Sequence, residues 1–139
     1  MRWVNISKEK PPQWILDAVK EKWGVVWEST VIFTYGDIIS TSSGSMTEDL
    51  IAHEQTHVRQ QKAMGADLWW KRYLEDDEFR YSQELEAYRN QYQWLVKNIK
   101  DRNEVFKYLE HYARSLSGAM YGNMVQYSVA FKLIKGVYK

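Results

Sequence analysis

His53 and His57 stand four residues apart with Glu54 directly after the first, in the run His53-Glu54-Gln55-Thr56-His57. On a helix of about 3.6 residues per turn the two imidazoles leave one face, about one turn apart, and both can reach a single Zn²⁺ at roughly 2.0–2.1 Å. Glu54 lies about 100° further round. It cannot easily join them as a ligand, but it can reach a water beside the ion. Two nitrogen donors and an adjacent carboxylate are what metal-assisted hydrolysis requires, with the imidazoles holding the ion and Glu54 as general base. A histidine pair at this spacing can also be two hydrogen-bonded side chains with no ion. The chain has only three histidines, and glutamate occupies the one position able to serve a bound water, which favours the chemical reading.

A hydrolytic zinc site has three protein ligands and one open position. The chain contains no cysteine, so the third ligand must be another histidine or a carboxylate. The extended metzincin pattern would put glycine and histidine at positions occupied here by Gln60 and Ala63, so that class is excluded. His111 is the remaining histidine and the lesser candidate. The segment Gln83-Glu84-Leu85-Glu86-Ala87-Tyr88 offers two carboxylates on one predicted helix. Glu86 shares its face with Asn90, Gln93 and Lys97, whereas Glu84 shares its face with Tyr88, Gln91 and Leu95, beside an apolar stripe. Glu84 is therefore expected to point inward as the third ligand, with Glu86 the alternative, and Ala87 is small enough to let this helix approach the motif helix. Tyr81, His111, Arg114 and Tyr121 are each chemically able to stabilise an oxyanion. Tyr121 is preferred, because Gly122-Asn123 set it in a turn at a helix start.

These side chains need helices to carry them, and the sequence supplies the signals. Pro11-Pro12 precedes an amphipathic pattern from Gln13 that Gly24 ends. Thr30 to Tyr35 is rich in β-branched and aromatic residues, and Gly36-Asp37 then Ile38-Ile39 predict two strands about a tight turn. Ser45 and Glu48 form a capping-box pattern for a motif helix starting near Met46 and ending at Gly65. Leu50, His53, Glu54, His57 and Gln61 lie on its inward stripe. Downstream, a short helix around Leu68 to Tyr73, an acidic run at Glu75 to Glu78, and helical stripes from Ser82, Val105 and Met124 are expected, the last capped by Tyr121-Gly122-Asn123. The fold class is thus α+β and mostly helical: a minimal zincin-like core with a short hairpin or small sheet before the motif helix, and several C-terminal helices.

The chain of 139 residues suits one domain, 1–139, with seven Trp and ten Tyr to fill its core. Its 19 basic and 18 acidic residues nearly cancel, so charge gives no case for a nucleic-acid or membrane partner. No span has the length and apolarity of a signal peptide or a membrane helix, which makes the cytoplasm the expected location.

The histidine motif, followed 27 residues after His57 by Glu84 in a Glu-x-x-Ala setting, resembles the gluzincin class of zinc metallopeptidases over roughly residues 45–90. The chain length and the tail Leu116-Ser117-Gly118-Ala119-Met120-Tyr121-Gly122-Asn123 are similar to small uncharacterised metallopeptidases of bacteriophages and their bacterial hosts. The resemblance implies one Zn²⁺ per chain on His53, His57 and Glu84, with Glu54 as base and a protein or peptide substrate. It also implies an edge strand, here Thr30 to Tyr35, that pairs with an extended peptide. Many gluzincins carry Asp four residues after the ligand glutamate, where it orients a histidine. This chain has Tyr88, so Asn side chains or backbone carbonyls are expected to orient the imidazoles instead. The competing expectation is a zinc-containing regulatory or protein-binding module without turnover, whose sign would be an exposed Trp/Tyr patch.

Overall fold

The structure, a computed structural model, describes residues 5–136. Its elements in order are β1 (Ile6–Ser7), α1 (Gln13–Trp23), β2 (Ile32–Tyr35), β3 (Ile38–Thr41), α2 (Glu48–Met64), α3 (Ala66–Glu75), α4 (Asp77–Asn98), α5 (Arg102–Leu116), a 3₁₀ turn (Ala119–Tyr121) and α6 (Tyr127–Lys135). The mostly helical α+β class is borne out. The strands form one mixed sheet in the order β1-β3-β2. The sequence before Pro11-Pro12, residues 1–10, reads as a short extended lead-in; residues 1–4 lie outside the described residues, and Ile6 and Ser7 pair in parallel with Ile39 and Ser40. β2 and β3 are the expected hairpin, closed at Tyr35↔Ile38 by Gly36-Asp37. Positive φ falls on Gly36, the first loop residue, where a Cβ would be strained and the turn's twist matches that of the strands.

Several boundaries differ from the expectation: β2 starts at Ile32, not Thr30, and α4 starts at Asp77 within the acidic run, not at Ser82. α2 starts at Glu48 behind Thr47, not near Met46 behind Ser45. Ser45 instead belongs to the preceding loop, its N–H donating to the Ser43 hydroxyl and its C=O accepting from it. Likewise Tyr121-Gly122-Asn123 does not cap the last helix, which begins at Tyr127 behind Gln126. Those residues end the 3₁₀ turn, and Gly122 fits there because a Cβ would lie 3.0 Å from the Asp77 side chain. Elsewhere the punctuation is where the composition places it: Gly24 and Gly65 end α1 and α2, and Asp76 and Asp101 cap α4 and α5 through their carboxylates.

Two apolar clusters flank the centre of the molecule. Ile15, Val19, Phe33, Trp69, Trp70 and Tyr73 knit α1, the sheet and α3 together, while Leu95, Leu109, Leu116, Ala130 and Ile134 join α4, α5 and α6. Between them α2 packs on α4 through polar faces. Asn90 Nδ2 donates to Thr56 Oγ1 at 3.0 Å, and Gln60 Nε2 donates to the Gln83 carbonyl at 3.0 Å. Buried Ala87 lies on the face of α4 that carries buried Glu84 and Gln91. Its small side chain sits where the two helices approach. Ala87→Leu is expected to cost about 1–3 kcal/mol through overpacking, read as a lower denaturation midpoint; a midpoint equal to wild type would mean the helices do not meet there.

Buried Arg80 ties the second half of the molecule to the first. Its guanidinium donates to the Met120 carbonyl at 2.7 Å and the Tyr73 carbonyl at 2.6 Å, pairs with Asp77, and lies over the Trp23 ring at 5.0 Å. The segment carrying Tyr121 is thereby pinned against α3.

Candidate functional site

α2 and α4 bring four charged or ionisable side chains into one buried centre. His53 Nε2 lies 2.9 Å and His57 Nε2 3.1 Å from the same atom, Glu84 Oε1. Glu84 Oε2 accepts from the Tyr73 hydroxyl at 2.5 Å. Glu54 is adjacent, with Oε1 accepting from Thr34 Oγ1 at 2.8 Å and Oε2 4.0 Å from His53 Nε2. The helical stripe predicted to face inward does so, since His53, Glu54, His57 and Gln61 are all buried.

The glutamines decide which ring nitrogens face the centre. His53 Nδ1 lies 2.9 Å from Gln91 Oε1, and His57 Nδ1 lies 2.8 Å from Gln60 Oε1. Neither amide is free to turn, because Gln91 Nε2 donates to Asp49 Oδ2 at 2.8 Å and Gln60 Nε2 donates to Glu86 Oε1 at 2.7 Å. Facing carbonyl oxygens, both Nδ1 atoms must carry hydrogen, so Nε2 is on each ring the nitrogen turned to the centre and the one that would face a cation. The expectation that Asn or backbone carbonyls orient the imidazoles is corrected: glutamine side chains do. Glu86, the alternative ligand, is exposed and serves to hold Gln60.

Charge at the centre is strongly coupled. Burial by itself would lower the His57 pKa, but the carboxylates of Glu84 and Glu54 outweigh it and raise the value to about 9. Burial would raise Glu84, yet the charge of His57 and hydrogen bonds from both imidazoles hold it well below the usual carboxylate range. Asp49 behaves similarly: burial opposes ionisation, and hydrogen bonds from Thr47, Gln91 and Tyr112 overcome it and lower its pKa. Tyr73 and Tyr121 are pushed well above 10, by burial first and then by the negative charge of Glu84.

The centre opens on a cavity of about 230 Å³ whose lining includes Thr34, His53, Glu54, His57, Glu84 and Tyr121. Of the oxyanion candidates, Tyr121 and His111 line this cavity, His111 from an exposed position. Tyr81 and Arg114 are not part of its lining. Tyr88 does not replace the absent Asp as an acceptor for the histidine; its ring stands edge-on to His53, centroids 4.6 Å apart.

The donor set can be tested against a cation. A tetrahedral site with bonds of about 2.0–2.1 Å separates its donor atoms by roughly 3.3–3.4 Å. The two imidazole–carboxylate separations of 2.9 and 3.1 Å fall a few tenths of an ångström inside that, so small outward shifts would admit an ion. Among the described residues, donor atoms of His53, Glu54 and His57 also lie within 4.8 Å of one another. Glu84 is the better third donor, because its Oε1 lies nearer both nitrogens while Glu54 Oε1 is committed to Thr34.

Tyr73, Gln60, Gln91, Asp49 and Thr34 carry no sequence signal of their roles. Periodicity places Gln91 on the Glu84 face, but only the α2–α4 contact makes it a partner of His53. Gln91→Ala is expected to weaken metal affinity about 10–100-fold, measured by competition with a chelator; unchanged affinity would show that the Gln91 amide does not orient His53.

No family model, curated protein or solved structure matches the chain.

Proposed function

We propose that the protein is a cytoplasmic zinc-dependent peptidase in which His53, His57 and Glu84 hold the ion and Glu54 is the general base. The observation that carries this reading is the convergence of both Nε2 atoms on Glu84 Oε1, with both Nδ1 atoms held by oriented glutamines. Zinc held there would lower the pKa of a water to about 7 and polarise a carbonyl. The chain's own residues supply the rest. The Thr34 hydroxyl fixes one oxygen of Glu54 and leaves Oε2 directed to the centre. That oxygen takes the proton of the attacking water and returns it to the leaving amine. Tyr121, kept protonated by burial and by the charge of Glu84, lines the cavity as a donor for the developing oxyanion.

Elemental analysis of protein purified without added metal, together with digestion of a mixture of synthetic peptides, tests the proposal. About one zinc per chain, with hydrolysis lost in chelator and restored by zinc, is expected. Protein that neither contains nor takes up zinc sinks it, and zinc without hydrolysis of any peptide leaves the regulatory or protein-binding module. Because the carboxylates hold His57 protonated up to about 9, zinc uptake must displace a proton. Affinity is therefore expected to rise about tenfold per pH unit below that value and to level off above it, as read by chelator competition. A pH-independent affinity would mean that His57 is not a ligand.

A further inference from the structure

The edge of β2 beside the centre is only half available. Paired strands alternate, and residues that do not exchange ladder bonds with the neighbour turn their N–H and C=O to the outer edge. Thr34 is such a residue, because its carbonyl accepts from Gln61 Nε2 at 2.7 Å and from Trp70 Nε1 at 2.9 Å. Gly36 N–H, two residues on, donates to Gln61 Oε1 at 2.7 Å. The side-chain amide of Gln61 thus bonds to the strand as the backbone of a further strand would. Tyr35 adds a third tie, its hydroxyl donating to Asp67 Oδ1 of α3 at 2.7 Å. Residues 34–36 are in this way sealed against α2 and α3, with Thr34 and Gln61 almost wholly buried. Among the described residues of this edge, the outward backbone groups left to a partner are those of Ile32 and the Thr34 N–H, all on the Ile32 side of the Thr34 carbonyl.

Thr34 also marks the position of the chemistry, since its hydroxyl holds Glu54. A peptide lying along β2 therefore finds backbone partners on the Ile32 side of Glu54 and meets the Gln61–Trp70 seal on the Gly36 side. The cavity at the centre, lined by Ile32, Thr34 and Trp70 but not by Gly36 or Gln61, is about 230 Å³, below the roughly 300–1,000 Å³ usual for drug-sized ligands. Resting on the peptidase reading above, we propose that Gln61 and Trp70 act as a stop that confines the substrate to short peptides or chain ends, bound along Ile32 and projecting only a short end past Glu54. Specificity here comes from what the stop excludes as much as from what the edge pairs with.

Four phosphinic pseudopeptides test this on the zinc-loaded protein: a dipeptide core, the core lengthened by three residues on its amino side, on its carboxyl side, and on both. Binding is followed by tryptophan fluorescence, with Trp69 and Trp70 in the cavity wall. The singly lengthened probe whose extension runs along Ile32 is expected to bind at least as tightly as the core, and the other two at least about tenfold more weakly than the core. Gln61→Ala should narrow that gap. Trp70→Phe, which keeps an aromatic ring and loses only the indole donor, should narrow it in part and serves if the first variant does not fold. The Gly36 amide should be protected from hydrogen exchange in the wild type and unprotected in Gln61→Ala. Equal binding of all four probes, or a freely exchanging Gly36 amide in the wild type, overturns the stop and leaves the peptidase reading standing. Failure of every probe to bind protein that holds zinc overturns both.

Discussion

Glu54→Gln is expected to keep its zinc and lose about 10²–10⁴-fold in turnover, the usual contribution of a positioned general base. The substitution is nearly isosteric, and the amide oxygen of glutamine can still accept from Thr34 Oγ1, which lies 2.8 Å from Glu54 Oε1. What it cannot do is take a proton from water. Because Glu54 stands 4.0 Å from His53 Nε2 while Glu84 stands at 2.9 Å, loss of the Glu54 charge should leave the donor set intact. Zinc content and kcat on one verified peptide are the two readings. Zinc retained with turnover gone supports the assigned role; full turnover on that peptide would remove Glu54 from the mechanism, and loss of zinc would make it a ligand.

Glu84→Ala is expected to drop zinc well below one per chain and to abolish stabilisation by added zinc. For the wild type, zinc at about 100 times its Kd should add about 2.7 kcal/mol, roughly 10 °C in midpoint for a chain of this size. The variant should also be less stable without metal by about 3–5 kcal/mol, the cost of breaking a buried charge pair from one side. Burial then lowers the His57 pKa against only the Glu54 charge and the Gln60 hydrogen bond, and Tyr73 loses the acceptor that now lies 2.5 Å away. Glu84→Gln separates the two effects, because it keeps an acceptor for the Tyr73 hydroxyl while removing the charge. If Glu84→Ala bound zinc as tightly as wild type, the third donor would be Glu54, the other carboxylate within reach of both imidazoles.

Local order in this chain was written in adjacent residues. Glycines at 24, 36 and 65 ended helices and turned the hairpin, because few other residues tolerate those backbone angles. The i, i+4 spacing of His53 and His57 set both on one face, and the polar company of Glu86 separated it from the inward Glu84. Helical period governs all of these, and it can be read without knowing any neighbour.

What the sequence left open depended on contacts between segments far apart in the chain. That Gln91 and Gln60, not Asn or backbone carbonyls, orient the histidines follows from how α2 lies on α4. Tyr73 reaches Glu84 only because α3 folds back beside α4, and Tyr121 enters the cavity because Arg80 holds the Met120 carbonyl. The predicted peptide-pairing strand exists, but period-two alternation says nothing about what lies along its edge. Gln61 and Trp70 close half of it, because a side-chain amide satisfies buried backbone groups as well as another strand does. Residue type and spacing thus determined which side chains could do chemistry on each helix, and tertiary packing alone decided which of them meet.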